Sequence, residues 1–349
     1  MNDFLYKIYK WYKKNQRQLP WRETTDPYKI WCSEIILQQT RVDQGISFYL
    51  RFIERFPTIS DLAHASEDEV LKLWQGLGYY SRARNLHTTA QTIEKKYQGV
   101  FPRNHNEIRN LKGIGPYTAA AVASIAFGLP YPAVDGNIYR VLARYFGISN
   151  PIDTTKGKKV FEEIARELIQ NNNPGLHNQA LMEFGALQCV PKSPDCNNCP
   201  VRTTCFAATR QKVAELPVKI KRAKQRNRFF YYFFLQSGEN TWLEKRKAND
   251  IWKNLYQFPL IETDEELSDE ELAKIKPDFL DGQKFNLKTV SSSKKHILSH
   301  QIIFARLIHL ELDKTVRLNG NYNQVSIKDV STFAVPRLIE ILMKQTSYF

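Results

Sequence analysis

Two carboxylates, four thiols and a glycine hairpin are the parts of this sequence that can do chemistry. Glu34 stands in Pro27-Tyr-Lys-Ile-Trp-Cys-Ser-Glu-Ile-Ile-Leu-Gln-Gln-Thr40, where a helix sets Ile30 and Trp31 one turn before it. A carboxyl bordering that apolar stripe is desolvated, which raises its pKa and keeps it protonated. Further on, Leu111-Lys-Gly-Ile-Gly-Pro-Tyr-Thr-Ala-Ala-Ala-Val-Ala-Ser124 puts Gly113 and Gly115 at the opening of an alanine-rich helix. The free backbone N–H groups and positive dipole end of such a start hold a phosphate. Asp135 follows one helix and one turn later, in Val134-Asp-Gly-Asn137. A backbone phosphate clamp with a nearby acid is what an enzyme needs to hold DNA still and act on one sugar.

Cys189, Cys196, Cys199 and Cys205 crowd into seventeen residues, with six, two and five residues between successive thiols. In a chain without a secretory signal, that density argues for a metal rather than disulfides. Structural zinc and an iron–sulfur cluster both accept four thiolates, and the residue types alone leave that choice open. The fifth cysteine, Cys32, lies beside Trp31 and Ile35 and reads as a buried apolar filler.

These groups need elements to position them. A chain of 349 residues is expected to form two domains, each with its own core. The net charge of +14 favours a polyanionic partner, nucleic acid first. No apolar run is long enough to span a membrane, so cytoplasmic residence is expected. Lys7, Lys10, Lys13 and Lys14 alternate with Phe4, Leu5, Ile8, Trp11 and Tyr12, an amphipathic helix facing a core rather than a targeting segment. Residues 1–206 read as mostly helical, with apolar stripes over 30–56 and 160–169. From Lys212 to Arg228, seven basic residues, Glu215 and Pro217 read as an exposed linker. Strand-like runs follow at Phe229–Leu235, Thr241–Leu243 and Ile302–Leu312, with a last helix over Val335–Lys344. The seven acids among Glu262–Glu271 predict a solvated loop turned away from any duplex.

With these residues in view, the sequence resembles the helix-hairpin-helix DNA glycosylase superfamily, and within it the MutY-type adenine glycosylases. The cysteine spacing matches the loop that holds one 4Fe–4S cluster in the endonuclease III and MutY types. The resemblance therefore implies Cys189, Cys196, Cys199 and Cys205 as cluster ligands, with Lys192 and Arg202 near DNA phosphates. Glu34 falls at that family's catalytic glutamate, in its Ser-Glu-x-x-Leu-Gln-Gln-Thr pattern. Breaking an N-glycosidic bond needs a proton for the leaving base and negative charge beside the cationic sugar. Glu34 would give the proton, while Asp135 would stay ionised beside the sugar. Asn137 matches a position that holds a catalytic water. Tyr117 stands where the bifunctional branch carries a lysine that forms a Schiff base; a phenol forms no imine, so little strand cleavage is expected. Flipping the base costs a few kcal/mol. Gln39 and Tyr79, with Thr40 and Leu77, match the residues that fill the gap and meet the opposite base. Gly113 and Gly115 match the phosphate-binding hairpin, and Trp21, Arg22 and Glu183 resemble adenine-pocket positions.

Trp252-Lys-Asn-Leu-Tyr-Gln-Phe-Pro259 resembles the start of the Nudix-like second domain that inspects the base opposite adenine in this family. The Nudix catalytic signature is missing, so pyrophosphatase activity is not expected. The family's Phe-Ser-His reading loop is Leu298-Ser299-His300 here. Serine can hydrogen-bond the altered edge of 8-oxoguanine, and the leucine keeps apolar bulk while losing an aromatic face. The fold expected is a mostly α helix-hairpin-helix glycosylase domain over 1–206, a basic linker over 207–228 and an α+β Nudix-like domain over 229–349. The function expected is removal of adenine opposite 8-oxoguanine or guanine by a monomeric, nucleoid-associated repair enzyme acting on double-stranded DNA. Two alternatives are a bifunctional pyrimidine-damage glycosylase and lyase, and a non-catalytic, zinc-bearing damage-binding module.

Overall fold

The computed structural model describes residues 2–220, 225–312 and 318–345; residues 221–224 of the expected linker lie outside that set. The chain divides into two compact units: Met1–His64 with Asn85–Lys221, and Ala65–Arg84 with Arg222–Phe349.

The helices, in chain order, are α1 (Asn2–Asn15), α2 (Pro27–Ile36), α3 (Val42–Arg55), α4 (Ile59–His64), α5 (Glu67–Leu73), α6 (Ser81–Tyr97) and α7 (His105–Arg109). They continue with α8 (Pro116–Phe127), α9 (Gly136–Phe146), α10 (Thr155–Ile169), α11 (Pro174–Leu187) and α12 (Phe206–Thr209). All but α5 and the first turn of α6 belong to the first unit. Phe4, Leu5, Ile8 and Tyr12 recur on one side of α1 and are buried in a core shared with Ile138, Val141 and Leu142 of α9 and Leu181 and Phe184 of α11. Lys10, Lys13 and Lys14 stay exposed, as the spacing predicts. Cys32 is fully buried in α2, in keeping with its apolar surroundings.

Two helix starts matter for the site. Gly115 caps α8 with no side chain closing its end, Pro116 occupies the first turn, and Gly128 ends the helix in the left-handed region. Asp135 caps α9, its carboxylate accepting from the backbone N–H groups of Asn137 and Ile138.

In the second unit the strands are β1 (Arg226–Gln236), β2 (Asn240–Lys245), β3 (Tyr256–Gln257), β4 (Leu260–Thr263), β5 (Phe285–Val290), β6 (Lys294–Ile297), β7 (Gln301–Leu312) and β8 (Asn323–Ser326). Helices α13 (Asp269–Lys274) and α14 (Arg337–Met343) accompany them. One sheet runs β4-β1-β7-β5, with β6 also on β7; β1 and β7 are parallel and the other pairs antiparallel. A smaller sheet runs β3-β2-β8. Both faces of β1 are covered, which is why it reads as a continuous apolar run. Phe230, Tyr232 and Phe234 pack with Ile303, Leu307 and α14, while Tyr231, Phe233 and Leu235 pack with Leu272, Phe279 and Leu310. The Ala65–Arg84 segment is tied into this unit. Asp68 accepts from Lys245 and Tyr256, Lys72 Nζ donates to the carbonyls of Ser331 and Phe333, and the Tyr80 hydroxyl donates to the Val335 carbonyl.

Two expectations change. The stretch read as an exposed linker is docked over its first half: Leu216 is buried, and the carbonyls of Val213 and Leu216 accept from Arg144 Nε at 3.1 and 3.0 Å. Its last residues, Arg226–Arg228, already belong to β1. The acidic run is not one solvated loop either. Glu262 lies in β4 and grips the buried Arg228 guanidinium at 2.6 and 2.7 Å, and Asp269–Glu271 form the first turn of α13 with Ser268 and Glu271 in a capping box. Charge density hid a short strand whose one carboxylate, itself exposed, has a buried partner.

Candidate active site

A cavity of about 360 Å³ in the first unit is lined by the end of α2, the start of α8, the cap of α9 and the middle of α11. It gathers Glu34, Tyr117, Asp135, Asn137, Trp21, Arg22, Glu183, Gln39 and Thr40, residues scattered over 163 positions of sequence (183 − 21 + 1 = 163). Glu34 projects from α2, half-buried, beside buried Ser33 and Ile30. Burial pushes its carboxyl up to about 7; the adjacent Tyr117 phenol and the Arg22 charge pull it down, and the Asp135 charge adds to the rise. It is thus a carboxyl that holds its proton near neutrality.

Asp135 sits differently. Its Oδ1 accepts from the N–H groups of Asn137 and Ile138 at 3.0 and 2.8 Å, and its Oδ2 accepts from Asn137 Nδ2 at 2.6 Å. Burial lifts its carboxyl above the usual aspartate range, while these three hydrogen bonds and the Arg140 charge hold the rise in check. Burial raises both carboxyls, and Asp135 differs in having three donors at a helix start that oppose the rise. The Tyr117 hydroxyl is driven well above the ordinary phenol range, first by burial and then by the two carboxylates, so it stays protonated; it lies 3.7 Å from Met182 Sδ.

At the other wall, Glu183 is 1% exposed and takes both oxygens' worth of donors: Arg17 Nε and Nη2 at 2.9 and 2.7 Å, and Arg22 Nη1 and Nη2 at 3.0 and 2.7 Å. Burial alone would raise this carboxyl, but the hydrogen bonds from Arg17 and Arg22 outweigh it and bring it to about 2. Trp21 is buried with its ring edge-on to Tyr49. Sequence reasoning missed Arg17, whose only signal was that a buried glutamate with one arginine invites a second. It also missed Gln38, which donates to Thr118 Oγ1 at 3.3 Å, and Arg140, whose guanidinium joins Asn137 Oδ1 to the carbonyls of Gly185 and Cys189.

The hairpin ahead of α8 has the form a phosphate needs. Gly113 is in the left-handed region at φ 78°, and a Cβ there would lie 2.6 Å from Asn85 Cβ. At Gly115 a Cβ would meet nothing within 4 Å, so the backbone there is open to a ligand. Gln39 (φ 58°) and Tyr79 (φ 48°), the two expected wedge residues, are both non-glycine residues held in the left-handed region and both exposed. Strain of that kind gathers at binding sites. Tyr79 and Ser299 lie in the second unit, hydroxyl to hydroxyl at 2.8 Å; Leu77 is buried nearby in the chain and His300 is exposed.

The four clustered cysteines are free thiols. They line one hollow with Phe4, Val141, Arg144, Tyr145 and Phe184, and Arg144 Nη1 lies 3.4 Å from Cys189 Sγ. Among the described residues no three His, Cys, Asp or Glu side chains converge tightly enough for one metal ion. Four thiols around an apolar hollow, with an arginine to meet their charge, fit a multi-iron cluster, which needs its ligands farther apart than one ion does.

Residues 32–171 match the HhH-GPD superfamily base excision DNA repair protein family, and residues 231–345 match the NUDIX domain. The adenine DNA glycosylase of Buchnera aphidicola subsp. Acyrthosiphon pisum is 34% identical over 343 residues, 97% of this chain and 95% of that one. The human adenine DNA glycosylase is 40% identical over 215 residues, 59% of this chain and 39% of that protein. Among solved structures, a thermostable thymine-DNA glycosylase aligns with a TM-score of 0.56 at 32% identity, covering 59% of this chain and 95% of its own. Endonuclease III bound to DNA aligns at 0.52 and 24% identity over the same share of this chain and 94% of its own, a likeness of fold.

Proposed function

The chain belongs to the adenine DNA glycosylase family, and from that premise we propose how its residues divide the work and which adenines it takes. It is a DNA N-glycosylase of base excision repair, a hydrolase that removes adenine. In our reading Glu34 carries the proton to a ring nitrogen of the leaving base, because burial lifts its carboxyl to about 7. Asp135 remains the anion facing the sugar as positive charge develops, its orientation fixed by Asn137 and by the start of α9. Tyr117, kept neutral, hydrogen-bonds toward this pair and offers no amine, so the product is an abasic site in an intact strand. Arg22, Trp21 and the buried Glu183 shape the adenine pocket; Gln39 and Tyr79 each serve as a wedge residue, and Thr40 and Leu77 each meet the opposite base.

The substrate is adenine opposite 8-oxoguanine, and also opposite guanine. Ser299 and His300 in the second unit support this reading, since an exposed hydroxyl and imidazole on a tight turn suit the polar edge of an altered purine. The phosphate backbone meets Gly113 and Gly115. Cys189, Cys196, Cys199 and Cys205 would hold one 4Fe–4S cluster, which would supply a four-way cross-link between the end of α11 and α12. Arg140 then ties the carbonyl of Cys189 to Asn137, setting the cap of α9 against the cysteine loop.

The observation that carries the proposal is the pairing of a desolvated Glu34 with a hydrogen-bonded Asp135 in one cavity. The test is single-turnover excision on duplexes with adenine opposite 8-oxoguanine, guanine, cytosine and thymine, each product split with and without hot alkali. Adenine loss from the first two alone, with breaks only after alkali, is expected. Breaks without alkali, trapped by borohydride, would replace this reading with a lyase.

A further inference from the structure

The turn that carries Ser299 has an apolar residue of its own at the surface, and it is not the one the sequence pattern points to. β6 and β7 form a hairpin closed by a tight turn in which the Leu298 N–H donates to the Gln301 carbonyl at 2.8 Å, and the Leu298 carbonyl accepts from Gln225 Nε2 at 2.8 Å. Strand alternation fixes what each side chain meets. His296 lies against the Trp252 ring, and Leu298 packs into the core built on Phe230, Ile303 and Leu338. Lys295 and Ile297 alternate with them and point to the opposite side, where Ile297 pairs across with Ile302, and Lys295 Nζ sits 5.8 Å from the centre of the Phe304 ring. Leu298 is thus partly buried against the domain core. Ile297 is 63% exposed.

A single exposed aliphatic residue is ordinary on a protein surface. This one has two neighbours that give it a role: Lys295 on the same face of its strand, and the Ser299 hydroxyl two residues on, which is hydrogen-bonded to the Tyr79 hydroxyl. A stiff, β-branched group carried on a paired strand, with a cation beside it and a turn that meets bases in the proposed reading, has the makings of a wedge for a base step. We propose that Ile297, and not Leu298, is the apolar residue this unit presses into the base stack of the strand opposite the adenine, beside the base that Ser299 reads, with Lys295 on a flanking phosphate. The inference rests on the reading of Ser299 given above. It assigns the wedge to the residue with more apolar surface left to lose water on contact with DNA, since Leu298 has lost part of its own on folding.

The test uses the full-length protein with wild type, Ile297→Ala and Leu298→Ala. Binding is titrated on duplexes carrying a non-cleavable 2′-fluoro adenosine opposite 8-oxoguanine, with 2-aminopurine placed on either side of the 8-oxoguanine to report unstacking. Ile297→Ala is expected to melt like wild type, bind about tenfold more weakly with the same salt dependence, and lose the rise in 2-aminopurine fluorescence. Leu298→Ala is expected to lower the melting temperature instead, with the fluorescence rise kept in the folded protein. An Ile297→Ala protein that binds within twofold of wild type and still unstacks the reporter overturns the inference. If Leu298→Ala alone abolishes the fluorescence rise at a temperature where it is folded, the wedge is Leu298 and the inference is wrong. A wild type that prefers the 8-oxoguanine duplex no more than an undamaged one removes the underlying reading and this inference with it.

Discussion

Asn137 Nδ2 lies 2.6 Å from Asp135 Oδ2, while the other oxygen of Asp135 accepts both the Asn137 and the Ile138 backbone N–H. One carboxyl therefore serves as helix cap and, in the proposed reading, as the anion facing the sugar. Replacement can separate the two duties. Asp135→Asn keeps an excellent cap and loses the charge, so excision should fall by about 10³-fold or more while the melting temperature barely moves. Asp135→Ala should lose both, at an added cost of about 1 kcal/mol. Single-turnover rates and thermal melts on the same two proteins check this; an active Asp135→Asn would remove the charge from the mechanism.

Glu34 makes a prediction about pH with two signs. Protonated acid is the working form, so excision should decline about tenfold per pH unit above 7, where the carboxyl ionises. Stability runs the same way. A carboxyl lifted from 4.5 to about 7 favours the fold fully below pH 4.5, and that favour is lost as pH rises through 7. Glu34→Gln, which cannot ionise, should therefore be inactive yet more stable than wild type at pH 8, by about 3 kcal/mol at most, and no more stable at pH 4. Denaturant melts at both pH values give the answer, and equal gains at the two would contradict it.

Glu183 carries the reverse sign. Held at about 2 by Arg17 and Arg22 against the opposing pull of burial, it contributes stability that is present above pH 4.5 and lost as pH falls through 2. Glu183→Gln leaves two guanidiniums facing a neutral amide in a buried wall and should cost about 3 kcal/mol. The same variant should bind the adenine mispair more weakly without moving the pH dependence of excision. Acid melts and a pH–rate profile measure both.

The cysteine loop predicts a colour. Protein purified without oxygen should be brown, with four irons and four sulfides per chain. Cys199→Ser should bleach it and expose residues 189–205 to protease. A colourless wild type holding one zinc would refute the cluster assignment.

The parts of this site that were legible in the sequence are the local ones. The hairpin before α8 and the stripe around Glu34 each declare themselves within a dozen residues, because backbone geometry and helix periodicity act at that range. Arg17 and Glu183 meet across 166 positions, and nothing in either neighbourhood announces the other. β3, β4, β6 and β8 are two to four residues long, too short for an alternation to stand out, and β5 is mostly exposed. The left-handed turn at Gln39 carries no glycine to mark it, and at Tyr79 the flanking Gly76 and Gly78 mark a turn without showing that Tyr79 itself is left-handed. Glu262 was hidden by its acidic neighbours, since a sequence lists charges but not which of them faces Arg228.

The clasp on residues 65–84 also sets an order of events at the ribosome. Lys72 emerges long before the Ser331 carbonyl it donates to, 259 residues later. At about 5–20 residues per second the wait is roughly 13–50 s. Lys245 and Tyr256, the partners of Asp68, emerge earlier in that interval, but the carbonyls that accept from Lys72 and from the Tyr80 hydroxyl arrive only with residues 331–335. A nascent chain stalled before residue 331 should leave this short segment as its most accessible target for a chaperone or a protease.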